Sequence, residues 1–169
     1  WAPLIIALYG VIYSLFAFEM IMSMDKVWYA NMFGGFNFIG NIYMGWAMLG
    51  IMTILLSWNY ERFNKVIHAD QFWDMGKMTL AFCILWGYMF WDHFLPQWYG
   101  NLPEETQWMI LRTREYPWKG LAWVTFPMCF ILPFILLISR DLKKTPKYFI
   151  RVCSIILIGM WLEKYMVIM

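Results

Sequence analysis

Apolar residues along this chain gather into five long runs: Pro3–Met24, Gly34–Trp58, Met75–Leu95, Trp118–Ile138 and Tyr148–Met169. A helix needs about 20 mostly apolar residues to cross a bilayer. A membrane β-barrel would instead show alternating segments of about ten residues. The runs are longer and continuous, so the expected fold is all-α. It is a polytopic transmembrane bundle of about five spans, in a single domain covering residues 1–169. No internal repeat, low-complexity tract or soluble domain interrupts it. Both ends of the chain fall inside apolar runs, and the expectation is a piece of a longer polytopic protein.

The polar connections refine this picture. Asn101-Leu102-Pro103-Glu104-Glu105-Thr106 reads as a helix start. Proline fits the first turn, and acids there meet the positive end of the helix dipole. Trp108, Ile110 and Leu111 follow, which predicts a short interfacial helix. Arg62, Lys65, Lys77, Arg140, Lys143, Lys144, Lys147 and Arg151 lie in or beside the second and fourth connections. Lys26, Arg112, Arg114 and Lys119 lie in the first and third. This two-fold bias puts the second and fourth connections in the cytoplasm. Trp28, Tyr29, Trp98, Tyr99 and Trp118 fall at span ends, as an aromatic belt would.

Composition agrees with a bilayer as solvent. The chain is 62% hydrophobic and 21% aromatic, with 14% charged residues, against about 25% in soluble domains. A net charge of +2 gives no reason to expect a nucleic-acid partner. Cys83, Cys129 and Cys153 are isolated within apolar runs, without a CxxC pair, so they read as small buried hydrophobes. His68 and His93 fall at opposite sides of the bilayer, so they cannot ligate one haem. No phosphate loop or Ser-His-Asp pattern occurs.

Five ionisable residues remain inside the apolar runs: Glu19, Asp92, His93, Glu163 and Lys164. A charge near the bilayer centre costs on the order of 3 kcal/mol. The topology brings all five to a similar depth near the outer face. Asn31, Asn37 and Asn41 add polarity at that level. Ionisable side chains in spans are expected to line a hydrated pocket that carries protons or binds a polar ligand head; Glu19, Glu163, Asp92 and His93 are the candidate proton-pathway residues. Lys164 is expected to snorkel to the headgroups. Gly159, one turn before Glu163, allows a neighbouring helix to approach closely. The competing reading is that these groups only pair and help helices pack.

Local strings carry a resemblance. Trp98-Tyr99-Gly100-Asn101-Leu102-Pro103-Glu104-Glu105-Thr106 is similar to a segment of the F-subunit family of bacterial alternative complex III. So are Phe18-Glu19-Met20-Ile21-Met22-Ser23-Met24-Asp25, Trp28-Tyr29, Met32-Phe33-Gly34, Asp74-Met75-Gly76-Lys77, Pro133 with Ser139-Arg140, and Trp161-Leu162 with Tyr165. They come in the family's order and cover nearly the whole chain, as the C-terminal half of such a subunit would. That family belongs with the polysulfide-reductase-type integral membrane proteins. The resemblance implies a multi-pass subunit in the bacterial inner membrane, accessory to a quinol:cytochrome c oxidoreductase. No cofactor would be bound by this chain, with quinone as a possible ligand. Haem c and iron–sulfur clusters would lie in partner subunits. The implied partners are the other membrane and periplasmic subunits and the lipid bilayer. A proton-translocating, a docking and a quinone-binding role all stay open. The family carries Asp where Glu19 stands and an acid where Glu163 stands. It carries uncharged polar residues at positions 92 and 93 and no base at 164.

Overall fold

The computed structural model describes residues 1–26, 28 and 30–168, with the side chain of Glu105 excepted. Tyr29 of the expected belt and Met169 at the end of the fifth run lie outside the described residues. All regular structure among the described residues is helical. The elements are α1 (Ala2–Phe16), continued by a π turn (Ala17–Ile21) and a 3-10 turn (Met22–Met24), α2 (Phe33–Asn59), α3 (Glu61–Asn64) and α4 (Ala69–Gly100). They are followed by α5 (Pro103–Arg114), α6 (Trp118–Phe126), a second π turn (Pro127–Ile131), α7 (Leu132–Ile138), α8 (Arg140–Lys144) and α9 (Pro146–Ile168).

Each expected apolar run is helical, but among the described residues three segments are long and apolar enough to cross a membrane: Ala2–Met24, Phe33–Asn59 and Trp118–Ile138. The other two helices are interrupted by charge. Asp70, Asp74, Lys77 and Asp92 lie on α4; Lys147, Arg151, Glu163 and Lys164 lie on α9.

Helix α4 also outruns the expected 75–95 at both ends, because its flanking residues supply caps. The His68 N–H donates to Gln71 Oε1 at 2.9 Å, and the Gln71 N–H donates to the His68 carbonyl at 3.1 Å. At the far end Asn101 takes a left-handed conformation (φ 46°) and closes the helix, a position that asparagine tolerates. Pro103 then opens α5, the short helix foreseen in the third connection.

Helix α2 is central. It packs on α4, α9 and α1, and its Tyr43, Ala47 and Ile54 are fully buried. Around it Cys83 and Trp86 of α4, Leu137 of α7, and Phe149, Ile156 and Met160 of α9 complete the core. Helix α1 contributes no buried residue.

Glycine sets the closest approach between helices. A Cβ on Gly159 would stand 3.1 Å from the Met128 backbone carbon and 3.1 Å from Cys129 Sγ. Small residues at such crossings are how membrane helices gain van der Waals contact. A methyl group at Gly45 would meet nothing within 4 Å. Gly159→Val is therefore expected to destabilise the bundle by about 1–3 kcal/mol, while Gly45→Ala leaves it unharmed. Thermal unfolding of both variants in detergent checks this.

Candidate functional site

Helices α2 and α9 carry a buried polar group into the apolar core. Glu163 is 4% exposed. Its Oε2 lies 3.1 Å from Lys164 Nζ, an ion pair between sequence neighbours. Lys164 Nζ in turn donates to Asn37 Oδ1 at 2.6 Å. Asn37 is 2% exposed on α2. Lys164 therefore bends inward across α2 instead of snorkelling. Its amine finds an amide oxygen there, and a Cβ on Gly40 would lie 3.6 Å from it.

The carboxylate is incompletely satisfied. Although Oε2 is within ion-pair distance of Lys164, neither oxygen receives an aligned hydrogen bond from a described residue. A buried carboxylate with spare acceptor capacity can take up a proton or a hydrogen-bonded ligand.

The second π turn flanks this group through the Gly159 contact. Pro133 lacks the N–H that would bond the carbonyl four residues earlier, at Cys129. Tyr43 replaces it: its hydroxyl donates to the Cys129 carbonyl at 3.1 Å. Cys83 Sγ lies 3.9 Å from the same oxygen and 3.7 Å from the Phe130 carbonyl. The thiols are buried as expected, but Cys83 also has this polar contact. Proline and tyrosine at positions 133 and 43 were the available sequence signals, and only the fold pairs them.

A second cluster lies beside α5. Trp28 stacks on Trp108 with ring centres 4.1 Å apart and planes 7° from parallel. Arg112 Cζ sits 4.1 Å from the Trp108 ring centre, and its Nε donates to the Met166 carbonyl at 2.8 Å. Burial lowers the affinity of the Arg112 guanidinium for its proton, while Asp25 nearby opposes that shift. The cluster pins α5 to the end of α9. Asp25, Lys26, Trp28, Trp108, Arg112 and Val167 border a cavity of about 380 Å³. Trp28 is 4% exposed, so it is a packing residue and not part of an aromatic belt. Trp98 and Tyr99 are exposed, as a belt requires.

The four candidate proton-pathway residues separate. Glu163 and His93 are buried, His93 edge-on to Trp28 (6.2 Å) and stacked on Phe36 (6.1 Å). Asp92 is half-buried on α4, one turn before Pro96. Glu19 is exposed, on the π turn that follows α1. It therefore does not share an enclosed site with Glu163. Ser23 Oγ, on the 3-10 turn that follows, donates to the Glu19 carbonyl.

No protein-family model and no curated protein matches this chain. The site is thus read from its own geometry.

Removing one member of a buried ion pair leaves the other uncompensated, at a cost of about 3 kcal/mol. Lys164→Met is expected to destabilise by that order. Adding Glu163→Leu should recover much of the loss. Unfolding of the single and double variants in detergent measures the coupling.

Proposed function

We propose that the chain is an integral membrane subunit of a quinol-oxidising respiratory complex of the alternative complex III type, and that Glu163 serves proton translocation. The complex lies in the bacterial inner membrane and passes electrons toward cytochrome c. This subunit holds no redox centre of its own. The observation that carries the proton role is the Glu163 carboxylate, 4% exposed, charge-paired with Lys164 yet with both oxygens free to accept. The sequence resemblance supplies the kind of complex.

On this reading α4 and α9 span the bilayer together with the three more apolar segments. At 1.5 Å per residue, the 32 residues of α4 reach roughly 48 Å and the 23 of α9 roughly 35 Å, enough for a 30 Å hydrocarbon core. The charges on α4 lie toward its ends. Within α9, Glu163 and Lys164 pair with one another, and Lys164 also reaches Asn37.

A docking role without chemistry has its own support. Helix α1 contributes no fully buried residue, and Glu19 stands exposed on its continuation. A carboxylate on such an apolar segment favours a neighbouring subunit over lipid. A quinone-binding role draws on the cavity of about 380 Å³ beside Arg112, within the size range of ligand pockets.

Glu163→Gln preserves shape and removes the proton-binding charge. In the assembled complex, reconstituted in vesicles, it should lower proton release per electron while electron transfer persists. Unchanged stoichiometry would remove the proton role. In that case Glu19→Gln weakening subunit retention would support docking.

A further inference from the structure

At the end of the bundle formed by the start of α4 and by α8, three cations converge on one indole. Lys77 Nζ lies 4.1 Å, Arg140 Cζ 4.9 Å and Lys144 Nζ 5.4 Å from the Trp73 ring centre. Cations over an indole face are attracted by the ring quadrupole, but they also repel one another. Carboxylates relieve part of this. Asp74 Oδ1 pairs with Lys77 at 2.7 Å and Asp70 Oδ1 with Lys144 at 3.0 Å. Lys144 holds the Asp70 carboxyl below its ordinary range, first through its hydrogen bond and then through its charge.

The Arg140 guanidinium has no carboxylate in ion-pair contact among the described residues. Its sequence neighbour Asp141 is exposed. A fourth cation, Lys143, is 6% exposed. Its methylenes pack on Gly76, where a Cβ would stand 2.7 Å from Lys143 Cγ. Burial and the like charge of Lys77 lower its proton affinity. Four cations thus face Asp70, Asp74 and Asp141, and the balance is positive.

The Gly76–Lys143 contact holds α8 against α4, so these groups are fixed in place by backbone packing. Their level is set by the sequence. Beyond Lys77 the apolar part of α4 begins, and before Ser139 the apolar α7 ends. Trp73 is half-buried at that border, where an indole suits the headgroup layer of a membrane.

We propose that Trp73, Lys77, Arg140 and Lys144 form a binding site for the phosphate headgroup of an anionic phospholipid. Arg140 offers a planar fork for two phosphate oxygens. The two lysines add point charges shared with their aspartates. The lipid's acyl chains continue along the apolar surface that begins at Met78, which is 43% exposed. A basic pocket between helices at headgroup level is a known form of lipid recognition. This inference does not depend on the respiratory role.

The test uses the purified membrane protein in phosphatidylcholine nanodiscs doped with phosphatidylglycerol. Native mass spectrometry reads the lipid retained, and thermal unfolding reads stabilisation. Phosphatidylglycerol should be retained in preference to phosphatidylcholine. Arg140→Gln with Lys144→Gln should weaken that preference by about tenfold or more, given roughly 1 kcal/mol for each basic residue at a membrane surface. Arg140→Lys with Lys144→Arg, which keeps the charge and moves the fork to position 144, should retain more of the preference than the glutamine pair; a loss as large as that pair's would overturn the proposal. Arg62→Gln with Lys65→Gln removes two charges from the adjacent connection and should leave the preference intact. Equal retention of the two lipids would overturn the proposal, as would an equal loss in the Arg62/Lys65 variant. Inorganic phosphate at millimolar concentration should give no comparable stabilisation. If it does, the ligand is free phosphate and the lipid assignment fails.

Discussion

A charge carried into an apolar bundle needs compensation there, and at the centre of this molecule Glu163, Lys164 and Asn37 compensate one another. A buried ionised group without compensation costs several kcal/mol. Glu163 and Lys164 are adjacent on α9 and cannot both face the same way as ordinary helix neighbours. The lysine resolves this by reaching across to Asn37 on α2, which leaves the carboxylate inside with its charge matched. That contact ties α9 to α2, and α2 in turn supports α1 and α4.

The same rule explains the irregular helix between Trp118 and Ile138. Pro133 deprives the Cys129 carbonyl of its helical donor, and Tyr43 replaces it from α2. The π turn this creates places Met128 and Cys129 against Gly159, one turn from Glu163. A backbone defect and a buried carboxylate are thereby brought to one place, where a proton-active group would be shielded from lipid. At the other end of the bundle the logic differs. There most of the charges lie at the surface of the bundle, organised around Trp73 instead of being hidden.

The geometry also redistributes the candidate residues. Depth alone grouped Glu19, Asp92, His93 and Glu163, because depth follows from position along each helix. Facing does not. Glu19 is exposed on the turn that continues α1, a segment that packs chiefly against α2, and His93 turns inward among Trp28 and Phe36. Trp108, on the short helix of the third connection, stacks on Trp28 and holds α5 down through Arg112.

The sequence by itself determined the helical class, the approximate positions of the long helices, the short helix of the third connection and the close approach at Gly159. These depend on local composition and on spacing, which a single chain carries. It also marked Glu163 and Asn37 as polar residues in apolar surroundings. Only the tertiary structure decided that Lys164 joins them, that Tyr43 meets Cys129, and that Trp73 collects cations from α8. Each of these contacts joins residues distant in sequence, apart from the Glu163–Lys164 pair itself. Their formation depends on the rotation of one helix against another, which packing sets and which apolar runs without a strong amphipathic face do not specify.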